Sequence, residues 1–374
     1  MAQVTIHVPP RPYQARIENG LLARAGVLLA ELLPQASEVF VITVPPVRRR
    51  WGAKLLNSLA AAGFKPQILQ MPDGEPTKKL ATIATLSERL VRLGADRKAV
   101  LIALGGGVVG DVTGLLASLY MRGVELVQIP TTVLAQVDAS VGGKTGVNLG
   151  AGKNLLGTYH HPRVVLIDPE VLHTLSARAF RAGLYEALKC GIIGDRDLFL
   201  RFEQKRSQIL KRDPIEVEGL IAQSVKLKAE IVSADEQEGG LRRVLNLGHT
   251  IGHALESETG YRTLLHGEAV AWGMIAATRL GLVRKTVTEA QASRIEKLIF
   301  AYGPLPALRL PVDRLLDAAT RDKKNRSGVR RFILPSGIGN AVVVENVTDT
   351  ELYNAAESML ETARPQTVAE TVGA

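Results

Sequence analysis

The chain has 374 residues, long for a single compact core and suited to two domains of ordinary size. At 46% hydrophobic and 22% charged it has the make-up of a folded globular protein, which argues against a disordered or fibrous chain. The net charge of +9 (46 basic against 37 acidic side chains) suits an anionic partner; with aromatics at only 4%, base stacking is poorly provided for, so an anionic small molecule is expected and nucleic acid is not.

In chain order, "VTIHV" and "YQARIE" read as strands around a proline-rich turn, and "GLLARAGVLLAELL" has helical spacing. "EVFVIT" is a short apolar strand, followed by a helix from about Val47 to Ala62. "KPQILQM" is a strand, and "TKKLATIATLSERLVRLG" a helix stopped at Gly94. "AVLIAL" is a continuous apolar strand, as expected for a strand covered on both faces. A glycine-rich turn, a helix to about Tyr120 and the strand "VELVQIP" follow. This alternation predicts a parallel sheet with helices on both faces.

After about Leu175 the pattern becomes helical, through "SARAFRAGLYEALKCGII", "DRDLFLRFEQKRSQIL", "PIEVEGLIAQSVKLKAEIV", "VLNLGHTIGHALESETG" and "GEAVAWGMIAATRLGL". Only "VRRFILP" and "NAVVVENV" read as strands there, joined as a hairpin by "SGIG". The expected organisation is therefore an α/β N-terminal domain with a parallel sheet over residues 1–175 and a mostly α-helical C-terminal domain over 176–362. The small, polar tail 363–374 is expected to be disordered.

One cysteine, Cys190, rules out an intrachain disulfide and a four-cysteine zinc site, and fits a reducing, cytoplasmic compartment. "MAQVTIHVPPRPYQ" lacks a basic-then-apolar signal pattern, and there is no run of about 18 apolar residues, so no membrane association is expected.

"ALGGGVVGDVTG" spells G-x-G-x-x-G at Gly105, Gly107 and Gly110, between a strand and a helix. Glycines there let a backbone approach a pyrophosphate, and a helix N-terminus favours an anion. The acid that a dinucleotide fold places about 20 residues on, at the end of the next strand, is missing: "VELVQIP" ends in Thr131 and Thr132. On the loop alone, a tight strand-to-helix turn competes with a nucleotide site.

Three of the seven histidines fall close together. His249 and His253 in "GHTIGHALE" share a helical face at i and i+4, and His266 opens the next helix. Two imidazoles and a carboxylate make a zinc-type site with an open position, and Glu186 in "GLYEALK" is the candidate carboxylate. The competing reading is a set of hydrogen-bonded core histidines beside a Glu186–Lys189 helix pair. Thr250 after His249 means that H-E-x-x-H is absent, so metal-assisted peptide hydrolysis is not indicated. Lys144 and Lys153–Asn154 lie in segments read as glycine-flanked loops. With Arg122, Asp138, Lys228, Arg242 and Lys323–Lys324 they would suit a substrate carrying both phosphate and carboxylate.

Together these segments resemble the 3-dehydroquinate synthase family of sugar-phosphate cyclases. The matching stretches are "DGEPTKK", "GGGVVGD", "RGVELVQIPTTVLAQVDASVGGKTGVN", "GKNLLGTYHHP", "AGLYEALKCGII", "LNLGHTIGHALE", "HGEAV" and "RDKKN", in the family's order from about Asp73 to Asn325. The resemblance implies an NAD-binding α/β domain, a helical metal- and substrate-binding domain and a cytoplasmic homodimer. It implies zinc, with cobalt as the alternative, on Glu186, His249 and His266, and His253 as a proton-relay histidine. It implies NAD contacts from Asp73, Glu75, Lys78, Gly106, Gly107, Val108, Asp111, Thr131, Thr132 and Lys153. The catalytic group would include Lys144, Lys189, Lys228 and Arg242, with Arg122, Asp138, Asn154, Asn246 and Lys324 holding substrate. The implied reaction turns 3-deoxy-D-arabino-heptulosonate 7-phosphate into 3-dehydroquinate and phosphate. Transient oxidation, phosphate elimination, reduction and aldol closure leave it redox-neutral, a carbon–oxygen lyase of aromatic amino acid biosynthesis. The rivals are another sugar-phosphate cyclase, a metal-dependent polyol dehydrogenase of related fold, and a non-catalytic metabolite-binding module.

Overall fold

The computed structural model describes residues 1–36, 38–324 and 331–364. It has the expected α/β parallel-sheet and helical parts. They interleave along the chain instead of dividing near residue 175: one compact unit comprises 1–183 and 207–242, the other 184–206 and 243 onward.

The first unit is built on seven strands: β1 (Ala2–Ile6), β2 (Tyr13–Ile17), β3 (Val39–Thr43), β4 (Pro66–Gln70), β5 (Val100–Gly105), β6 (Glu125–Pro130) and, past a separate hairpin, β9 (Val164–Ile167). Their order across the sheet is β1-β2-β9-β6-β5-β3-β4. β1 is antiparallel to β2, and every other pairing is parallel. β3, β5 and β9 are buried along their whole length, which is why β3 and β5 read as apolar runs. From β3 the chain steps out to β4, then returns to the other side of β3 as β5. Strand order therefore reverses between β3 and β5, and open α/β sheets bind ligands beyond the strand ends at such a point. The glycine loop lies at that end of β5.

β7 (Lys144–Leu149) and β8 (Gly152–Tyr159) form a separate antiparallel hairpin with a register irregularity between Val147 and Leu149. This corrects the loop reading of Lys144 and of Lys153–Asn154, which lie on strands. Helix Pro214–Ala234 belongs to the first unit, where it packs on β1, although it is embedded in a helical stretch of sequence.

The second unit is helical apart from the hairpin β10 (Phe332–Pro335) and β11 (Ala341–Val344), paired as expected. "VLNLGHTIGHALESETG" is not one helix: a 3-10 turn ends at Asn246, Gly248 adopts a left-handed φ of 79°, and the α-helix starts at His249. Three helices that periodicity did not pick out follow, Glu289–Ala301, Val312–Lys324 and Asp349–Ala363. The last runs into the start of the expected tail, of which 365–374 lies outside the described residues. Among the described residues no helix is long and apolar enough to cross a membrane.

Candidate active site

The glycine loop owes its composition to packing. Gly105, Gly107 and Gly110 all have negative φ, so no left-handed turn demands them. A Cβ on Gly105 would fall 2.5 Å from Val109, and one on Gly110 would fall 2.9 Å from Gln128 Oε1. The glycines thus let helix Gly107–Leu119 start directly off β5 and lie close on β6. Gly106 N-caps that helix, no side chain caps its first turn, and Thr132 stands against Gly106. This leaves a helix N-terminus lined by main-chain N–H groups, the arrangement that suits an anion. Thr131 is buried and donates its N–H to Gly105 O at 2.9 Å, so the two threonines sit beside the loop.

Glu75 and Lys78 are brought to the same place from the turn after β4. The buried Lys78 ammonium donates to both Asp111 and Asn154. Burial pushes the Asp111 carboxyl above its ordinary value against the opposing pull of Lys78. Asn148, which sequence reading overlooked, donates from Nδ2 to Glu75 Oε1 at 2.7 Å and accepts from Asn154 N–H at 3.0 Å. Val108 packs on the core of the unit. Asp73 begins the turn that carries Glu75, and Lys153 lies on β8 next to Asn154.

The cationic residues of this unit fall into separate groups. Lys228 is buried and pairs with Asp138 Oδ1 at 2.7 Å. Arg242, also buried, donates to Gly142 O at 3.1 Å and to Glu236 O, holding the turn before Lys144. Gly142 has a φ of 103° and a Cβ there would meet Arg242 Nη2 at 2.4 Å, so this turn admits no other residue without a shift. Lys144 pairs with Glu238. His161 Nε2 lies 2.7 Å from Glu236, and its ring lies 5.6 Å from that of Tyr13, whose hydroxyl accepts Gly142 N–H and is pushed up to about 12 by burial. Arg122 stands apart from these residues. It is exposed at the C-terminal end of helix Gly107–Leu119, opposite the glycine loop.

In the second unit, helices His249–Glu258 and His266–Val283 cross at unusually close range. A Cβ on Gly273 would fall 1.9 Å from Gly248 O, and Gly252 lies against Ala269 and Val270. This contact brings His249, His253 and His266 together, with ring centroids 5.3 to 5.8 Å apart. One ligating atom from each falls within 4.8 Å of the others. Glu186 lies behind them on helix Ala177–Ile193, fully buried; one oxygen pairs with the buried Lys189. Its other oxygen, Oε1, has no hydrogen-bond partner and lies 3.6 Å from His249 Nε2 and 3.4 Å from His266 Nε2.

The outer nitrogens are fixed as a metal centre requires. His249 Nδ1 donates to Leu247 O at 3.1 Å and His266 Nδ1 lies 3.1 Å from the buried Glu256 carboxylate, so both Nε2 atoms point at Glu186. Burial, reinforced by Lys189, drops His249 to about 3 and keeps it neutral. Burial also opposes charge on His266, but Glu186 and Glu256 outweigh it and raise its pKa to about 10. Glu186 is itself pushed up by burial, yet Lys189 and the imidazoles hold it well below the usual carboxylate range. A buried carboxylate oxygen facing the His249 Nε2 lone pair and the His266 Nε2, which carries a proton while His266 is charged, leaves a place where a divalent cation can replace that proton, and these residues fit such a metal. Glu256 was legible in principle, since it follows His249 by seven residues and shares its face. Asn246 is exposed where the 3-10 turn ends. Lys324 closes helix Val312–Lys324, and its side chain lies outside the described residues.

The sequence matches the family profile "3-dehydroquinate synthase N-terminal" over residues 68–182 and "3-dehydroquinate synthase C-terminal" over 183–325. It is 49% identical over 359 residues to a 3-dehydroquinate synthase of Koribacter versatilis (strain Ellin345), covering 96% of this chain and 98% of the relative. Among solved structures it is similar to ValA, the 2-epi-5-epi-valiolone synthase of Streptomyces hygroscopicus subsp. jinggangensis 5008, with NAD+ and Zn2+ bound. That match has a TM-score of 0.87 and 33% identity over 95% of this chain and 98% of the other. It is also similar to a 2-deoxy-scyllo-inosose synthase complexed with carbaglucose-6-phosphate, NAD+ and Co2+, with a TM-score of 0.85 and 26% identity over 96% and 99% of the two chains. Fold and site together therefore define a chain of the sugar-phosphate cyclase type. Within that type, the chain belongs to the 3-dehydroquinate synthase family.

Proposed function

We propose that the protein converts 3-deoxy-D-arabino-heptulosonate 7-phosphate to 3-dehydroquinate and phosphate, using NAD+ and a divalent metal. The observation that carries this reading is the unpartnered Glu186 oxygen facing two oriented imidazoles, in a chain whose profile match spans both parts of the family. When bound, NAD+ supplies a hydride acceptor and donor, and zinc or cobalt supplies a Lewis acid for a substrate hydroxyl.

The chain's own residues supply the rest. Glu186, His249 and His266 would hold the metal. The helix N-terminus at Gly106–Gly107, with Val108, Asp111, Thr131, Thr132, Lys153 and the Asp73–Lys78 turn, would hold the dinucleotide. Lys144, Lys189, Lys228 and Arg242 would neutralise the substrate's carboxylate and phosphate and the charge that develops as phosphate leaves. Asp138 orients Lys228, while Arg122, Asn154, Asn246 and Lys324 would complete the substrate contacts. His253 would carry a proton at its exposed imidazole. The substrate's own phosphate takes the proton next to the transient ketone, and the overall reaction is a redox-neutral lyase step.

A cytoplasmic homodimer completes the reading. The hairpin exposes Leu149, Leu155, Leu156 and Tyr159, and Thr158 on β8 hydrogen-bonds Ser118 beside exposed Leu119 and Met121, an apolar surface that suits self-association. The test is product analysis on two substrates, the heptulosonate phosphate and a heptulose phosphate lacking the carboxylate. 3-Dehydroquinate from the first and no carbocycle from the second is expected; cyclisation of the second alone would assign the protein to another branch of the cyclases.

A further inference from the structure

Asn148 sits where the β7–β8 ladder breaks register, so its main chain is free to pair elsewhere. Its N–H crosses to Lys78 O at 2.8 Å. Its Nδ2 donates to Glu75 Oε1 at 2.7 Å, and its Oδ1 accepts from Asn154 N–H at 3.0 Å. Lys78 then reaches back to Asn154 Oδ1 and Asp111. The result is a closed ring joining the turn after β4 to the tip of the hairpin, tied through Asp111 to the second turn of helix Gly107–Leu119. Asn154 has a φ of 55°, a left-handed backbone state that favours glycine or asparagine and is held here at both its N–H and its side chain.

The polarity of Asn148 is dictated on both sides. Glu75 only accepts and the Asn154 N–H only donates, so an amide is required and its orientation is set. Aspartate would face one carboxylate with another, and serine would fall short of one partner.

We propose that Asn148 is a positioning residue that couples the Glu75–Lys78 turn to Lys153 and Asn154, so that the dinucleotide and substrate contacts are set together. This rests on the reading that the turn and the hairpin tip take NAD+. Asn148 need not touch either ligand; it acts through Glu75 and Asn154.

The test is a double-mutant cycle on the full-length protein, with NAD+ Kd measured by calorimetry and metal affinity measured alongside. Asn148→Ser is expected to raise the NAD+ Kd about tenfold or more and Asn148→Asp further, with metal affinity unchanged. In the Glu75→Gln background the new amide donates to the carboxylate that Asn148→Asp introduces, so the penalty of Asn148→Asp should shrink at least fivefold. An equal penalty in both backgrounds, or wild-type NAD+ binding by both single variants, overturns the proposal. Should Asn148→Asp fail to fold, Asn148→Ser still decides it. Absence of NAD+ binding by the wild-type protein would instead defeat the underlying nucleotide reading.

Discussion

Replacing Glu186 by glutamine removes an anion that faces both His249 and His266. The Glu186 and Lys189 side chains are 0% and 2% exposed, so the change leaves a buried ammonium opposite a neutral amide. Breaking one side of a buried pair costs about 3–5 kcal/mol, and urea unfolding of the metal-free protein should show a loss of that order. If Glu186 is a ligand, as proposed, metal affinity should fall by more than the roughly 10–100-fold that outer-shell changes produce. The pH dependence gives a second signature. In the metal-free protein Glu186 and Glu256 outweigh burial and push His266 up to about 10, so near neutral pH a metal must displace its proton. Wild-type affinity should therefore rise about tenfold per pH unit over the neutral range. In Glu186→Gln, His266 loses one of the two carboxylates that raise it and keeps Glu256, so its pKa drops and the slope flattens. Chelator-competition titrations at several pH values read both effects. Wild-type metal affinity in Glu186→Gln, or a flat wild-type profile, would remove Glu186 from the metal site.

Three further outcomes are expected. His253→Ala should keep stoichiometric metal, measured by elemental analysis, while turnover slows; loss of metal would make His253 a ligand in place of Glu186. Glu256→Ala should weaken metal binding about 10–100-fold by freeing the His266 ring, and Glu256→Gln, which still accepts from Nδ1, should weaken it less. Gly273→Ala places a methyl group 1.9 Å from Gly248 O, so the His249 and His266 helices must separate. A stability loss of at least about 1–3 kcal/mol and reduced metal affinity should follow, and an unchanged Tm would contradict the close crossing.

Much of this site is legible in the chain because it is local. His249 and His253 share a face by i, i+4 spacing, and β5 announces itself as an apolar run closed by glycine. The glycine triplet was recognisable, but its cause was not. Gly105 and Gly110 are set by Val109 and Gln128, and the second of these contacts joins the helix to β6, far along the sequence. The β7–β8 hairpin escaped because "GGKTGVNLGAGKN" is too glycine-rich to show alternation, and its partner Asn148 acts at a break in register. The return of helix Pro214–Ala234 to the first unit depends on its packing against β1, a long-range contact that no local pattern encodes.

The proposed reaction stands on transient oxidation, with phosphate leaving without net reduction of the cofactor. Phosphate release and absorbance of NADH, followed together with heptulosonate phosphate, metal and a catalytic amount of NAD+, test it directly. Many equivalents of phosphate per NAD+ and no steady rise in NADH are expected. NADH accumulating in step with substrate consumption, without phosphate, would contradict it.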